Sequence, residues 1–301
     1  MVKSFAEVLE GAKRVGPRLV AIAAAEELEI LEAATEARAA GIAEPVLVGN
    51  KPVILALAAE SDLSLAGIEI IHEVDPEVAA AIAVHLVRSG EADIVMKGHL
   101  DTADLLRATL HRELGLRAGR LFSHISVFEI PGFERLIFVT DAGVVIEPTL
   151  EQKAQIVQNA IDTVHQLGIP EPRVAILAAL EMVNPKMPST TDAANLAKMA
   201  DRGQITGGIV DGPLALDNAI SERSAEVKGI KSPVAGKADI LVTPDVESGN
   251  ILAKGITYFA GGRMASVVVG GKAPIIAPAR ADPSENKLAS IALAVLLSHR
   301  D

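Results

Sequence analysis

Polar and charged side chains directly follow a short apolar strand in the segment Ala92–Thr102, an arrangement from which α/β proteins build ligand sites. The strand ends in Lys97, Gly98 and His99, and a helical pattern starts at Thr102. Free backbone N–H groups and the helix dipole favour an anion at such a helix start. We therefore interpret the first three as substrate-binding residues and Thr102 as a catalytic hydroxyl that donates to the anion. The alternatives are a surface lysine, a structural histidine and a helix N-cap.

The segment Ala238–Lys254 repeats this pattern further along the chain. An apolar strand gives way to a polar turn at Asp245, and a helix restarts near Gly249 and Asn250. We interpret these three as residues of a substrate-binding loop, in which Gly249 permits close approach of the backbone and Asn250 donates and accepts hydrogen bonds. Ordinary helix capping is the alternative. Two such strand–loop–helix segments indicate two α/β lobes that face a shared cleft.

Arg280 is the cation whose position most favours anion binding. It follows an apolar strand and stands just ahead of the helix start Asp282-Pro283. A guanidinium can hold a phosphate group there with two parallel hydrogen bonds. A solvated arginine in a turn is the alternative.

Composition limits the classes of protein to which this chain can belong. It has no cysteine, which excludes disulfides, thiolate metal sites and cysteine nucleophiles. Its net charge of −11 argues against nucleic acid as a partner, although a local cluster of cations can still bind a small anion. No apolar run reaches the ~18–20 residues that span a bilayer, and the first residues lack a signal-peptide core. We expect a cytoplasmic protein with no membrane partner.

Three common signatures are absent from the sequence. No Gly-x-Gly-x-x-Gly fingerprint follows the first strand, no phosphate loop of the Gly-x-x-x-x-Gly-Lys-Ser/Thr type occurs, and Gly-x-Ser-x-Gly is missing. These absences argue against ordinary dinucleotide-binding, NTPase and serine-hydrolase functions.

Short apolar runs alternate with helical patterns along nearly the whole chain, which is typical of an α/β fold with a mostly parallel sheet. Asp75-Pro76 is a helix start, because an acidic N-cap precedes a proline at the first helical position. The apolar pattern also predicts one long helix over Pro17–Ala40. The Pro-Gly turn within Glu129–Glu134 is the best internal boundary.

Several motifs, in unbroken order, resemble those of a known family. They are Met96–Thr102, Thr140–Gly143 followed by Ile156–Ile161, Asp211–Asp217, Pro244–Asn250 and Pro274–Arg280. Together they resemble the phosphate acetyltransferase/phosphate butyryltransferase family. The segments Lys97-Gly98-His99, Val183–Pro188 and Arg280–Asp282 are more similar to the butyryltransferase branch.

The resemblance implies two three-layer α/β lobes with mostly parallel sheets and a cleft between them. Residues 1–130 and 268–301 would form the first lobe, and residues 131–267 would form a second lobe inserted into it. Family members are usually dimers or higher oligomers, so we expect a homodimer or a higher homo-oligomer.

The activity implied by the resemblance is reversible transfer of a short acyl group, of the butyryl type, between coenzyme A and inorganic phosphate. Acyl-CoA and phosphate would be the substrates, with no separate cofactor and no metal. The resemblance also implies that Arg120 binds an anion, with a surface role as the alternative. Asp141, Asp211 and Asp217 recur in the family pattern as well. Their grouping invites a Mg²⁺ interpretation, but their spacing matches no compact metal motif, and we interpret them as loop-fixing acceptors.

Phosphate is already an anionic nucleophile, so this reaction requires no cysteine or serine nucleophile. The barrier lies in bringing two anions together and in stabilising a tetrahedral oxyanion, which cations and helix N–H groups can do. In the reverse direction the thiol of coenzyme A must lose a proton, and a carboxylate base would help. Asn286 stands where the acetyltransferase branch has a carboxylate, which leaves Asp282, Glu285 or water for that role. We assign it to Asp282, with helix capping as the alternative.

Three other functions stay open at this point. One is phosphate acetyltransferase. Another is a catalytically impaired homologue that only binds acyl-CoA, because Ala279 and Asn286 replace a serine and a carboxylate of the acetyltransferase branch. The third is a β-decarboxylating dehydrogenase, which would share a related bilobal fold. That enzyme would require NAD, Mg²⁺ and a Lys–Tyr pair, but the sole tyrosine, Tyr258, lies in a predicted helix beside Phe259.

Overall fold

A computed structural model describes residues 2–298, which form an α/β protein with a mixed, mostly parallel β-sheet. The strands of this part of the chain are β1 (Arg18–Ala23), β2 (Ala43–Gly49), β3 (Glu69–His72), β4 (Ile94–Lys97), β5 (Ser123–Glu129), β6 (Ile137–Thr140), β7 (Arg173–Leu177), β8 (Ile209–Leu214), β9 (Ile240–Val242), β10 (Arg263–Val269) and β11 (Ile275–Ile276). The helices are α1 (Phe5–Val15), α2 (Leu28–Ala39), α3 (Lys51–Glu60), α4 (Pro76–Ser89), α5 (Thr102–Leu110), α6 (Leu150–Gln166), α7 (Pro188–Asp201), α8 (Leu216–Ile220), α9 (Glu222–Val227), α10 (Val246–Phe259) and α11 (Ser284–Ser298). The predicted α/β class is confirmed.

The chain divides into two compact units. The terminal unit consists of Phe5–Arg120 and the described chain from Ala265 onward, and the central unit consists of Leu121–Met264 with residues 2–4. The domain bounds predicted from the sequence stay a prediction.

The terminal unit orders its strands β3-β2-β1-β4-β11-β10. Strands β1 to β4 and β11 are parallel, and β10 is antiparallel to β11. The chain thus proceeds outward from β1 to β3 and then returns to the opposite side of β1 as β4. Such a reversal leaves a crevice at the carboxyl ends of the two strands, where open α/β sheets bind ligands.

Strand β1 corrects the sequence prediction of a helix over Pro17–Ala40. Residues 18–23 form a strand between β2 and β4, and its last four residues are buried. The helix starts only at Leu28. A short apolar run fits a buried strand and a buried helix equally well by periodicity, and here pairing on both sides decides for the strand.

The helix start predicted at Asp75-Pro76 is confirmed. Helix α4 begins at Pro76, and the Asp75 side chain accepts hydrogen bonds from the backbone N–H groups of Glu77 (2.9 Å) and Val78 (3.3 Å). Such a cap contributes about 1 kcal/mol to the stability of a helix. Helix α4 packs against β1 and β2, so the cap supports an element that covers the crevice strands.

Helix α11 is buried over residues 286–295 and packs against α1 and α2 within the terminal unit. Leu288, Ile291, Leu293 and Val295 are buried, and each such side chain stabilises the fold by about 1.5–3 kcal/mol. A helix with this pattern is an interior element. Lys287, in its first turn, is fully buried as well.

The central unit orders its strands β5-β6-β9-β7-β8. Strand β5 is antiparallel to β6, and the other neighbouring pairs are parallel. Thr140 and Ile176 both lie level with Val242, so the segments that follow β6, β7 and β9 start at one edge of the sheet. No helix within residues 2–298 is long and apolar enough to cross a membrane.

Candidate functional site

Five charged residues, which we call the charged cluster, gather at the carboxyl ends of β1, β4 and β11 in the terminal unit. They are Glu27, Lys97, Asp101, Arg280 and Lys287. Arg280 pairs with Asp101 at 2.7 Å and Lys287 pairs with Glu27 at 2.6 Å, and the charges of all four act on Lys97. With every group charged, these five residues carry three positive and two negative charges, and the Asp282 carboxylate in the Arg280 turn adds a third negative charge. An anion is therefore attracted by the exposed Arg280 guanidinium and not by a net positive charge.

Arg280 lies in a tight turn between β11 and α11. The turn is closed twice, because the Ala279 N–H donates to the Asp282 carboxylate (2.8 Å) and the Asp282 N–H donates to the Ala279 carbonyl (3.1 Å). The Arg280 side chain is 58% exposed and donates from Nη2 to Asp101 Oδ1. The guanidinium therefore remains accessible to a ligand from solvent while an acidic partner holds one of its nitrogens.

Lys97, the last residue of β4, is buried rather than a surface lysine. Its Nζ donates to the carbonyls of Gly98 and Leu100, both at 3.2 Å. Burial lowers the pKa of the Lys97 ammonium below its usual value, and the charges of Arg280 and Lys287 add to this effect while those of Glu27 and Asp101 oppose it. An anion bound beside Lys97 would favour the charged form.

Gly98 and His99 connect the β4 end to the segment after β1. The Gly98 N–H donates to the Ala23 carbonyl at 2.8 Å and the His99 N–H donates to the Ala24 carbonyl at 2.6 Å. A Cβ atom on Gly98 would lie 2.2 Å from the Ala24 carbonyl oxygen, so only glycine fits there. The His99 side chain is exposed. Substrate binding by these two residues stays a prediction.

Helix α5 starts at Thr102, and Asp101 holds the N-cap position, so the alternative of Thr102 as the N-cap is wrong. The Asp101 carboxylate makes no capping hydrogen bond and pairs with Arg280 instead. The first N–H groups of α5 thus lack a capping side chain, as an anion-binding helix start requires. Arg107 pairs with Asp104 at 2.8 Å.

Arg120 is exposed and is the last residue of the first segment of the terminal unit, Phe5–Arg120. It follows Arg117, which forms an isolated β-bridge with Gly271. Its role in anion binding stays a prediction.

The second predicted loop is in fact mostly helical. Helix α10 begins at Val246, so Gly249 and Asn250 belong to its first turns, and only Asp245 precedes it. The Asp245 carboxylate caps the helix, accepting from the N–H (2.8 Å) and the hydroxyl (2.7 Å) of Ser248. The sequence placed the restart of the helix near Gly249 and Asn250, a few residues later than the structure does. The capping alternative is confirmed, and substrate binding by Asp245 stays a prediction.

Gly249 lets α10 pack directly on the segment after β6. A Cβ atom there would lie 2.4 Å from the Asp141 carbonyl oxygen and 2.7 Å from Thr243 Oγ1. Asn250 is exposed, and its Nδ2 donates to the Ala142 carbonyl at 3.4 Å. Gly249 thus fits the close backbone approach that the sequence predicts, although the neighbour is the protein itself.

Asp141 fixes a loop, as its sequence interpretation states. Its carboxylate accepts from the N–H groups of Gly143 (2.8 Å), Val144 (2.9 Å) and Val145 (3.2 Å). Among the residues that the structure describes, no three histidine or carboxylate side chains stand close enough together to hold a metal ion.

A cavity of about 710 Å³ lies wholly within the central unit, beside the start of α10 and the end of β7. Its wall is mostly apolar, and Lys153 and Asp192 form an ion pair in it at 2.7 Å. Glu147 and Asp245 add two further acidic groups. The volume suits a small molecule, but the excess of acidic groups disfavours a phosphate there.

Glu27 and Lys287 are the members of the charged cluster that the sequence interpretation missed. The prediction of one helix over Pro17–Ala40 placed Glu27 in mid-helix, whereas it follows a strand end. Lys287 appeared to be an ordinary residue of the last helix. The sequence carries no clear signal for it, because Lys287 follows Ser284, Glu285 and Asn286 in a polar first turn.

Three comparisons relate the chain to known proteins. The model of the family described as "Phosphate acetyl/butaryl transferase" matches residues 75–295. A phosphate butyryltransferase from Clostridium beijerinckii is 47% identical over 301 residues, covering 100% of both chains. A phosphate acetyltransferase from Thermotoga maritima is 44% identical over 292 residues, covering 97% of this chain and 99% of the relative. The crystal structure of a branched-chain phosphotransacylase from Enterococcus faecalis V583 superposes with a TM-score of 0.84 at 31% identity, covering 94% of this chain and 100% of that one.

Proposed function

The chain belongs to the phosphate acetyl/butaryl transferase family, and from this membership we propose that it transfers a butyryl-type acyl group between coenzyme A and inorganic phosphate. The observation that carries the proposal is identity of 45–47% to phosphate butyryltransferases over essentially the full length of both chains. Acyl-CoA and phosphate are the proposed substrates.

The Arg280 end of the charged cluster is the proposed phosphate site. Arg280 binds the phosphate, and its guanidinium offsets part of the repulsion between phosphate and the anionic carrier. Lys97 contributes charge from the floor of the site, because an incoming anion favours its protonated form. Binding in a fixed orientation lowers the barrier by turning a bimolecular encounter into a reaction between held groups.

In the proposed reaction, a phosphate oxygen attacks the thioester carbonyl carbon and forms a C–O bond. The tetrahedral oxyanion accepts hydrogen bonds from the Thr102 hydroxyl and the N–H groups at the start of α5. When it collapses, the C–S bond breaks, leaving acyl phosphate and the thiolate of coenzyme A. In the reverse direction the thiol proton goes to the Asp282 carboxylate, which the Ala279 N–H keeps in place.

The remaining predicted residues are assigned to substrate binding. Gly98 shapes the end of β4, and we assign the anionic groups of coenzyme A to His99 and Arg120, which are both exposed. Asn250 offers an amide at the start of α10, whose position Asp245 and Gly249 fix.

The test is a spectrophotometric assay of thiol release from acetyl-, propionyl-, butyryl- and isobutyryl-CoA, with and without phosphate. The proposal predicts release only when phosphate is present, with the highest kcat/KM for a four-carbon acyl group. A highest value for acetyl-CoA would identify an acetyltransferase. Tight binding of coenzyme A with no turnover would identify the impaired homologue, and NAD reduction would support the dehydrogenase.

We further propose a homodimer formed through α10. Ile251, Tyr258 and Phe259 on this helix are 72%, 67% and 96% exposed, a concentration of apolar surface that suits a subunit interface. Light scattering after size exclusion should give a dimer for the wild type and a shift toward monomer for Phe259→Ser. A monomeric wild type would contradict this assignment.

A further inference from the structure

Lys287 occupies a buried position, where the charge of a lysine is energetically unfavourable. It is 0% exposed within helix α11, and its only charged hydrogen-bond acceptor among the described residues is Glu27 Oε1, at 2.6 Å. Transferring an ammonium and a carboxylate out of water costs several kcal/mol per ion, and an apolar pair of similar volume often stabilises a protein as well or better. Stability alone therefore does not explain why a lysine occupies this position.

The second acceptor of Lys287 shows what the lysine holds. Its Nζ donates at 2.8 Å to the backbone carbonyl of Asp282, the residue that closes the Arg280 turn. The same ammonium thus fastens the Arg280 turn to the segment between β1 and α2, which carries Glu27. That segment stands at the crevice between β1 and β4.

The Glu27 carboxylate accepts a hydrogen bond from Lys287 and does not cap its own helix. Glu27 is the N-cap residue of α2, yet its carboxylate makes no capping hydrogen bond and accepts from Lys287 instead. A capping side chain would contribute about 1 kcal/mol to α2. The Glu27 carboxylate thus leaves the N-terminus of α2 without a side-chain cap and accepts from Lys287, which links it to the Arg280 turn.

We propose that Glu27 and Lys287 are a positioning pair for Arg280. Lys287 fixes the Asp282 carbonyl and with it the backbone of the Arg280 turn, so that the guanidinium meets phosphate in one orientation. Neither residue touches substrate. The inference rests on the proposed function, since its readout is phosphate kinetics.

The experiment uses the double variant Glu27→Leu/Lys287→Met, which replaces the ion pair by an apolar pair of similar side-chain volume. Lys287→Met alone leaves a buried carboxylate without its partner and should lower the thermal midpoint. The double variant should melt within about 3 °C of the wild type, because an uncharged pair replaces the ionic one. Its kcat/KM for phosphate should nevertheless fall about 10- to 100-fold, since Arg280 loses its fixed orientation. Its KM for butyryl-CoA should change less than about twofold.

Ser290→Ala is the matched control on the same helix. Ser290 is buried, accepts from the Ser266 N–H at 2.9 Å and donates to the Asn286 carbonyl at 2.8 Å, so its loss loosens α11 without touching the Arg280 turn. Its phosphate kinetics should match the wild type.

Three results would overturn the inference. They are a folded double variant with wild-type phosphate kinetics, an equal phosphate defect in Ser290→Ala, and a double variant that fails to fold while Ser290→Ala folds. The wild-type enzyme in the same assay separates the two proposals. A wild type without phosphate-dependent thiol release removes the proposed function and this inference together, whereas an active wild type leaves the variants to decide the inference alone.

Discussion

Asp101 should compete with phosphate for the guanidinium of Arg280. The two side chains are 2.7 Å apart and are 74% and 58% exposed, and Asp101 accepts from Nη2 of the guanidinium. A phosphate that binds bidentately through Nη2 and a second guanidinium nitrogen competes with Asp101 for Nη2. Asp101→Asn removes the charge while keeping a residue that is equally good at a helix N-cap. We expect α5 to start unchanged and phosphate to bind more tightly.

The size of the effect follows from the exposure of the pair. An exposed ion pair contributes about 0.2–1 kcal/mol, and converting this range at 25 °C predicts a KM for phosphate lowered by about 1.4- to 5-fold. The free energy of unfolding should change by less than about 1 kcal/mol for the same reason.

The assay is phosphate saturation at a fixed, saturating concentration of butyryl-CoA. Asp104→Asn is the matched control, because it breaks another Arg–Asp pair of 2.8 Å on the same helix without touching Arg280. That control should keep the wild-type KM. A KM for phosphate that is unchanged or raised in Asp101→Asn, in a variant of normal stability, would refute the reasoning and show that Asp101 holds Arg280 in its working position.

Three further outcomes are expected. Gly98→Ala should destabilise the protein by about 3 kcal/mol, because its Cβ would lie 2.2 Å from the Ala24 carbonyl oxygen. Gly255→Ala, which has open space around it in α10, should stabilise the protein by about 0.5–1 kcal/mol. Equal free energies of unfolding in urea for the two variants would contradict this. Burial lowers the pKa of Lys97 in the folded state. Between that lowered pKa and 10.5 the unfolded chain therefore binds more protons than the folded chain. The free energy of unfolding of the wild type, minus that of Lys97→Met, should rise as the pH increases through this window. A pH-independent difference between the two unfolding free energies would contradict that expectation. EDTA should leave the rate of thiol release unchanged, and a large loss restored by Mg²⁺ would overturn the metal-free reaction.

The sequence predicted those parts of the fold in which local signals and tertiary packing agree. A strand that ends beside Lys97, the helix start at Thr102 and the N-cap at Asp75 all follow from short-range rules, and the structure has each of them within one residue. The loop-fixing role of Asp141 was also predictable, because a carboxylate after a buried strand finds N–H groups of its own loop.

Other parts depended on contacts far apart in the sequence. Strand β1 is a strand because β2 and β4 pair with it, and missing it concealed Glu27. The burial of Lys287 depends on a partner 260 residues away. Position 249 in α10 requires glycine because the Asp141 backbone packs against it. The identity of that neighbour cannot be read from the local sequence.

Binding of phosphate by the Arg280 end of the charged cluster is the central claim, and Arg280→Gln tests it most directly. The glutamine keeps a hydrogen-bonding amide but loses the charge, and hydrogen bonds to charged groups contribute about 1.5–3 kcal/mol. If Arg280 binds phosphate, kcat/KM for phosphate with butyryl-CoA falls by about 10- to 150-fold in this variant, while the thermal midpoint stays at the wild-type value. A folded Arg280→Gln variant with the wild-type kcat/KM for phosphate would contradict the claim.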